Sequence, residues 1–528
     1  MKTSTTAYKT VMAQAVRTTS YVKIEVTTTS GIVLTFDNSN ILKAEQTRYA
    51  DPLMRQLPEN TYKFTILDYN DDFNPDNPTG NWQYVVTKCP VVVWHGQEVG
   101  NEIEWFRAGF YLLDSKPTVS EQQVSFSCND TISFMTDEYF KGAFNDDGTT
   151  LYDLAIAVID DANITFLPSG TPIHNISQDL QNITTTAPLP IAQHNECLQL
   201  IANAACCRLY TDANGTIHID ADTDDYSADP GEEKSYYISF RDMKSKPITT
   251  IAESLRSVKC NCYRTTFERQ IETLYTYSAM SSVGITLKEL VNVSISANFN
   301  ETHLQDSIEF TMIPEEDWNI TYLRKNISGN QVTFTVSAST ISGNRYDQLA
   351  KITSVKANRK FLAQESITVL NGYDYGFTHE LTGDKLINIT GASYNVDNYA
   401  QYTNIHFTSS GVANISILAE FPKTLISYSK ASVPSNDPNG EIVAIENSLC
   451  SDFARAQFIA DYARDYLLLS PTYEFDYIGD WAVEPGDIIT IKTDYTATMK
   501  ALVLSHTLTF DRGALSGHLI LKSYGEVI

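Results

Sequence analysis

The sequence predicts a mainly β protein with one small α/β module and an inserted β-rich domain. Three observations predict it. Apolar and polar residues alternate over short runs separated by clusters of Gly, Pro, Asn and Asp, the period-2 pattern of half-buried strands. The period changes to that of an amphipathic helix in only two regions, within residues 150–207 and at 452–469. Tyr (30) far exceeds Trp (5), and Thr, Asn and Ile abound, a mix that favours strands joined by polar turns. At 528 residues the chain has room for about three to five domains and buries cores without disulfide or metal staples.

The elements follow in order. Lys9 to Val16 reads as a short helix or arm. Val22, Ile24 and Val26 alternate, as do Ile32, Leu34 and Phe36, and the turn Thr29-Ser30-Gly31 between them makes a hairpin. Further strands are expected at Lys63–Asp68, Gln83–Thr87, Val91–Gly96, Glu102–Leu113 and Gln122–Cys128. Met1 to about Phe144 is therefore one β-domain, a barrel or sandwich. Residues 145–235 form the α/β module. Its first helix opens at Thr150, whose spacing to Asp153 is that of a capping box, with Leu151, Leu154, Ala155 and Val158 on one stripe. Its second helix spans Ala192 to Cys207, with Cys197, Leu198, Ile201, Ala204 and Ala205 facing inward. The hairpin Arg208–Thr211 and Thr216–Asp220 follows around Asp212-Ala213-Asn214-Gly215, and Asp222 to Lys234 reads as a loop.

Strands resume at Tyr236–Phe240 and Arg256–Tyr263. Residues 267–432 are almost all strand-like, with Val332–Val336 and Asn414–Phe421 as typical segments, and read as an insertion. Asp452 to Leu469 is the clearest helix: Phe453, Ala456, Phe458, Ile459, Tyr462, Ala463, Tyr466 and Leu467 make its apolar stripe, Asp461, Arg464 and Asp465 its wet face, and Pro471 its stop. Strands at Thr472–Tyr477, Asp487–Thr493, Ala497–Phe510 and Gly517–Ser523 complete the chain, with Pro485-Gly486-Asp487 as a tight turn. Pairing them with Tyr236–Tyr263 makes a second barrel, a discontinuous domain of residues 236–266 and 433–528.

The formal net charge of −26 disfavours adhesion to nucleic acid or to an anionic bilayer. Met1 to Val16 lacks a secretory apolar core, and no run of 18 apolar residues occurs, so a cytoplasmic origin and no membrane span are expected. The eight cysteines include no C-x-x-C pair and read as buried free thiols.

Three stretches carry a resemblance. Asn195-Glu196-Cys197-Leu198-Gln199-Leu200-Ile201-Ala202, followed by Leu209-Tyr210-Thr211-Asp212-Ala213-Asn214-Gly215-Thr216-Ile217-His218-Ile219, is a helix running into a turn and hairpin. Glu484-Pro485-Gly486-Asp487-Ile488-Ile489-Thr490-Ile491 is a turn opening a strand. His506-Thr507-Leu508-Thr509-Phe510-Asp511-Arg512-Gly513-Ala514-Leu515 is a closing hairpin, with Arg-Gly where the family has two glycines. In this order they resemble the baseplate hub and tail-associated (Tal-like) tail-tip proteins of bacteriophages, over about Ser20–Tyr263 and Asp452–Tyr524.

The resemblance implies two tail-tube-like β-barrels per chain and a homotrimer that presents six barrels in a pseudo-sixfold ring. It implies a structural hub in the virion, at the tail tip or baseplate, that joins tube to tip, contacts the host cell wall and lines part of the channel for DNA ejection. The implied partners are a distal tail protein or tail tube ring, the tape measure protein, and tip, spike or fibre proteins. An excess of carboxylates would keep the channel non-adhesive to passing DNA.

No catalytic, cofactor-binding or metal residue is expected. The acidic pairs Asp71-Asp72, Asp146-Asp147, Asp160-Asp161, Asp224-Asp225, Glu232-Glu233 and Glu315-Glu316 sit in polar stretches and read as solvated turns, whereas a glycosidase sets one desolvated carboxylate across a cleft from another. No H-E-x-x-H, G-x-S-x-G or P-loop occurs, and His194, His506 and His518 read as structural. A peptidase or lysozyme domain of the kind that follows some hubs is expected on another polypeptide or not at all. The alternative function is host-surface glycan binding through the insertion, whose Trp318, Tyr322, Tyr346, Tyr373, Tyr375, Tyr394, Tyr399 and Tyr402 offer faces for sugar rings.

Overall fold

The computed structural model describes residues 4–12, 19–221, 237–266, the strands lying between 272 and 357, 360–433, 437–492 and 498–526. The loop expected at 222–234 lies outside the described residues. The chain divides into two units: Met1–Phe140, Asn145–Arg264 and Ile426–Ile528 form one, and Lys141–Phe144 with Thr265–Leu425 form the other. The architecture is mainly β, with a small α/β module in the first unit.

A 14-stranded sheet organises the first unit. Its path joins Ile248–Thr250, Thr472–Tyr477, Ala514–Glu526, Met499–Asp511, Ile41–Tyr49, Glu59–Leu67, Gln123–Asn129, Glu102–Leu113, Pro90–Val99, Ser20–Thr27 and Val33–Phe36. The N-terminal and C-terminal strand blocks are therefore one sheet, joined where Lys43–Tyr49 pairs antiparallel with Ser505–Asp511. Two separate cores lie along it. One gathers Val22, Ile24, Phe64, Val91, Val93, Tyr111 and Phe126 from the N-terminal block, and the other Phe475, Tyr477, Ile489, Ile491, Leu519 and Leu521.

The hairpin of Met499–Asp511 and Ala514–Glu526 belongs to both cores. Its base gives Met499, Ala501 and Val503 to the second core, and its tip gives Leu508, Phe510 and Leu515 to the first. A register shift between Val503 and Ser505 makes this possible. An extra residue in one strand reverses the alternation, so odd positions point inward before the bulge and even positions after it. The second block also takes in two strands from the middle of the chain. Tyr237–Ser239 pairs parallel with Thr490–Lys492, and the chain continues to Ile248–Thr250, antiparallel to Thr472–Glu474.

Corrections to the expected elements are local. Leu255–Thr266 does not join the last strands. It lies between Lys423–Ser432 and Glu441–Ile445 in a separate sheet, because Val258, Cys260 and Cys262 bury against the helix Phe453–Leu468. Phe453 and Phe458 leave that helix's expected stripe and are 58% and 53% exposed; Ala456, Ile459, Ala463 and Tyr466 keep it. Gln83–Thr87 is a 3-10 turn at Trp82–Tyr84 followed by irregular chain rather than a strand. The N-terminal helix is Thr6–Met12, and Tyr8 and Met12 pin it to the first core.

The α/β module packs helices Leu151–Asp161 and His194–Ala205 around Leu151, Ala155, Val158, Leu198, Ile201, Leu209, Ile217 and Ile219. Thr150 caps the first helix by accepting from Asp153 N at 3.0 Å, as its spacing predicts.

The second unit is described as strands between Glu272 and Ala419. Its clearest part is a sandwich. Gly411–Ala419 lies between Lys360–Val369 and Lys385–Thr390, Tyr402–Phe407 lies between Asp374–Thr378 and Tyr394–Asn398, and Val369, Ile389, Ile405, Phe407, Ala413, Ile415 and Ile417 fill the centre. Among the described residues, no helix is long and apolar enough to cross a membrane.

Candidate functional site

The first two motif stretches that carry the resemblance meet at one cleft. The antiparallel hairpin Cys207–Thr211 and Ile217–Ala221 projects Arg208, Tyr210 and Asp212 toward the turn Glu484–Asp487. Gly486 has φ +86, which favours glycine, and a Cβ there would displace the Arg208 guanidinium. Strands Ile41–Tyr49 and Glu59–Leu67 bring Arg48, Glu59 and Asn60, and Arg107 comes from Glu102–Leu113. The cleft holds about 470 Å³.

Its charges are largely spoken for. Arg48 Nη1 donates to Glu484 Oε1 at 2.7 Å, and Nη2 donates to the Ala108 carbonyl. Burial pulls the Arg48 pKa down, but Tyr111 and Glu484 outweigh it and hold it above the ordinary value. Asp487 accepts from Glu484 N at 2.8 Å and closes the turn. Asp130 is buried; burial raises its pKa, while Ser133 and Thr211 donate to its carboxylate at 2.8 Å and 3.0 Å. Thr131 Oγ1 donates to the Gly215 carbonyl at 3.0 Å. These bonds tie the N-terminal block to the α/β hairpin, and Arg48–Glu484 ties that block to the C-terminal turn. The chemistry is that of a clamp between segments: its carboxylates accept turn and strand donors.

The same face of the hairpin carries a charge cluster. His218 stands 3.6 Å from Asp212 and 3.4 Å from Asp220, with the Tyr210 ring stacked on it at 4.9 Å. Burial lowers the His218 pKa, but the two carboxylates outweigh it and raise it to about 9. His218 is thus a cation at neutral pH.

The residues singled out in the sequence are found apart. His194 is buried between Asp161, at 3.0 Å, and the Asp137 carbonyl, at 2.6 Å. His506 is buried against Tyr477 Oη at 2.8 Å and the Val483 carbonyl at 3.0 Å. His518 lies 2.9 Å from Asp476. Asp71 and Asp72 lie in a loop and Asp146 and Asp147 in a turn, whereas Asp160 and Asp161 end a helix. Asp224-Asp225, Glu232-Glu233, Glu315-Glu316 and Tyr346 lie outside the described residues, and Trp318 and Tyr322 fall in the strand Trp318–Ser328. Tyr375 and Tyr394 pack against the sandwich core, Tyr399 stacks on Tyr402, and Tyr373 is 48% exposed. All eight cysteines are buried free thiols. Among the described residues, no group of three His, Cys, Asp or Glu side chains is placed to hold a metal ion. The sequence reading missed the Arg48–Glu484 and Tyr8–Asp480 pairs, which join residues 436 and 472 positions apart and leave no trace in local spacing.

No protein-family model matches the sequence, and no curated protein matches it. Among solved structures the chain is similar to several tail proteins. One is the tail protein from Neisseria meningitidis MC58, with TM-score 0.42 and 11% identity over 95% of this chain and 96% of that one. A second is the 43 kDa tail protein of prophage MuSo2 from Shewanella oneidensis, with TM-score 0.41 and 8% identity over 95% and 98%. A third is the prophage tail protein gp18 from Listeria monocytogenes EGD-e, with TM-score 0.40 and 8% identity over 95% and 94%.

Proposed function

We propose that this chain is a structural, non-enzymatic hub protein of a bacteriophage tail tip or baseplate. It forms a homotrimer whose pseudo-sixfold ring joins the tail tube to the tip and lines part of the DNA channel. The observation that carries the reading is the pair of cores on one continuous sheet, bridged by the hairpin Met499–Glu526. Two β-blocks side by side in each chain make six in a trimer, which matches a sixfold tube to a threefold tip without a second gene product. The motif order in the sequence supports it, as does a clamp whose polar groups hold segments together instead of addressing a substrate. The net charge of −26 suits a conduit for a polyanion.

Electron microscopy of the purified full chain tests the reading. The expected particle is a threefold ring with six peripheral lobes and a pore of at least ~20 Å, the width a B-form duplex needs. A monomer across the micromolar range, or an oligomer without a pore, would overturn it.

A further inference from the structure

Arg107, a cation of the cleft, makes no ion pair among the described residues. It lies on Glu102–Leu113, where a register shift at Val93 and Trp94 leaves Ala108 as an extra residue. Such a bulge re-aims the side chains around it. Here the Ala108 carbonyl accepts from Arg48 Nη2, and Arg107, opposite Trp94, lines the cleft with Arg48 and Arg208. The Arg107 guanidinium lies 5.7 Å from the centre of the Trp94 ring. Arg107 Nε and Trp94 Nε1 are both buried, and neither has a hydrogen-bond partner among the described residues. Buried donors without acceptors are costly and uncommon, so two of them on adjoining side chains call for an acceptor from outside the chain.

We propose that the cleft binds an acidic peptide segment, with one Asp or Glu carboxylate paired to Arg107. A carboxylate fits because the planar guanidinium fork meets its two oxygens side by side. The cleft's own acids are engaged elsewhere. Glu484 holds Arg48, Asp130 accepts from Ser133 and Thr211, Asp212 accepts from Asn214 N and Thr216 N, and Asp487 accepts from Glu484 N. Exposed Glu59 also lines the cleft. These carboxylates repel a dianionic phosphate more strongly than a single carboxylate. A peptide fits because half-buried Tyr49, Pro58 and Pro485 give the walls apolar surface for the residues that flank the carboxylate. The volume of about 470 Å³ is that of a small-ligand pocket. The site needs no second copy of this chain and stands apart from the trimeric reading.

The test titrates the full chain with acetyl-Gly-Glu-Gly-amide, its uncharged counterpart acetyl-Gly-Gln-Gly-amide, acetate and inorganic phosphate. Binding is read from the side-chain Nε–H resonances of protein labelled at arginine, with the Arg107 signal assigned by its loss in Arg107→Lys. The Glu peptide is expected to bind saturably, to shift the Arg107 resonance, and to bind more tightly than acetate or phosphate, whereas the Gln peptide leaves that resonance in place. Arg107→Lys keeps the charge and loses the fork, and is expected to weaken the Glu peptide roughly tenfold or more. Arg241→Gln, at an exposed position outside the cleft, should leave binding unchanged. Glu and Gln peptides that bind alike, or acetate or phosphate that binds as tightly as the Glu peptide, overturn the proposal. So does a Glu peptide that binds Arg107→Lys as it binds the native chain. The comparison of the two peptides uses the native chain alone, so it decides the matter even where Arg107→Lys folds poorly.

Discussion

Tyr8→Phe tests what fastens the N-terminal helix. Thr6–Met12 is seven residues long, too short to persist alone in water. Two buried side chains, Tyr8 and Met12, dock it. The Tyr8 ring meets Phe106 edge-on at 4.9 Å, and its hydroxyl donates to Asp480 Oδ1 at 2.7 Å. Asp480 is fully buried, and its Oδ1 also accepts from Ala482 N at 2.8 Å. Phenylalanine keeps the ring contact and removes only the hydroxyl donor to Asp480 Oδ1, an oxygen that still accepts from Ala482 N. That deletion costs about 1.5–3 kcal/mol. Because undocking the helix is a local opening, the cost should appear as a roughly ten- to 150-fold loss of amide protection across residues 8–12 in hydrogen exchange. Lys9→Ala, on the exposed face of the same helix, is the control and should change protection little. If Tyr8→Phe and Lys9→Ala proved indistinguishable, the buried bond would not be what holds the helix.

Three further outcomes follow from described geometry. Gly486→Ala should lower the melting temperature through about 1–2 kcal/mol of left-handed strain plus displacement of Arg208, and more than Gly31→Ala, where φ is +81 but nothing lies within 4 Å. His218→Gln should destabilise the α/β module in a pH-dependent way. The folded pKa of about 9 exceeds the ordinary 6.5, so the wild-type advantage in thermal melts should be full below pH 6.5 and fade as pH rises through 9. The Asp212 and Asp220 carboxylates, held below the usual range, should withdraw their share as acid protonates them. Leu198→Ala, at a fully buried position between the helices, should cost about 2–5 kcal/mol in denaturant unfolding of the module, while a cost under about 1 kcal/mol would mean that the site collapses around the gap.

Where one physical signal dominated, the sequence was legible. The hairpin at Ser20–Phe36 alternates cleanly, with burial switching at every residue of Ser20–Thr27. The helix at His194–Ala205 buries every residue its stripe assigned inward. Ile41–Tyr49, the strand that joins the two blocks, escaped notice because an inward position is filled by Gln46, which bonds Tyr111 inside the core. A polar residue satisfied by a distant partner erases the alternation that marks a strand. Tyr84, Val85 and Val86 mimic a strand, yet only Val85 is buried, in irregular chain after one 3-10 turn. The candidate site was legible only as separate motifs. The hairpin around Asp212–Gly215 and the turn at Gly486 were both readable, but Asp130, Thr131 and Arg48, which join them to the N-terminal block, are remote in sequence, and no spacing rule links Arg48 to Glu484.

The bulge at Val503–Ser505 has a mechanical consequence. A stave that begins in one hydrophobic interior and finishes in its neighbour leaves no soft joint between them. Loosening either interior slackens the same pair of strands, so the two lobes should melt as one event, and a load applied to one would pass straight along the backbone to the other. The spacing between adjacent lobes within a chain is then set by the length of a covalent ribbon, and any opening or twisting of an assembled collar would have to occur where separate molecules meet.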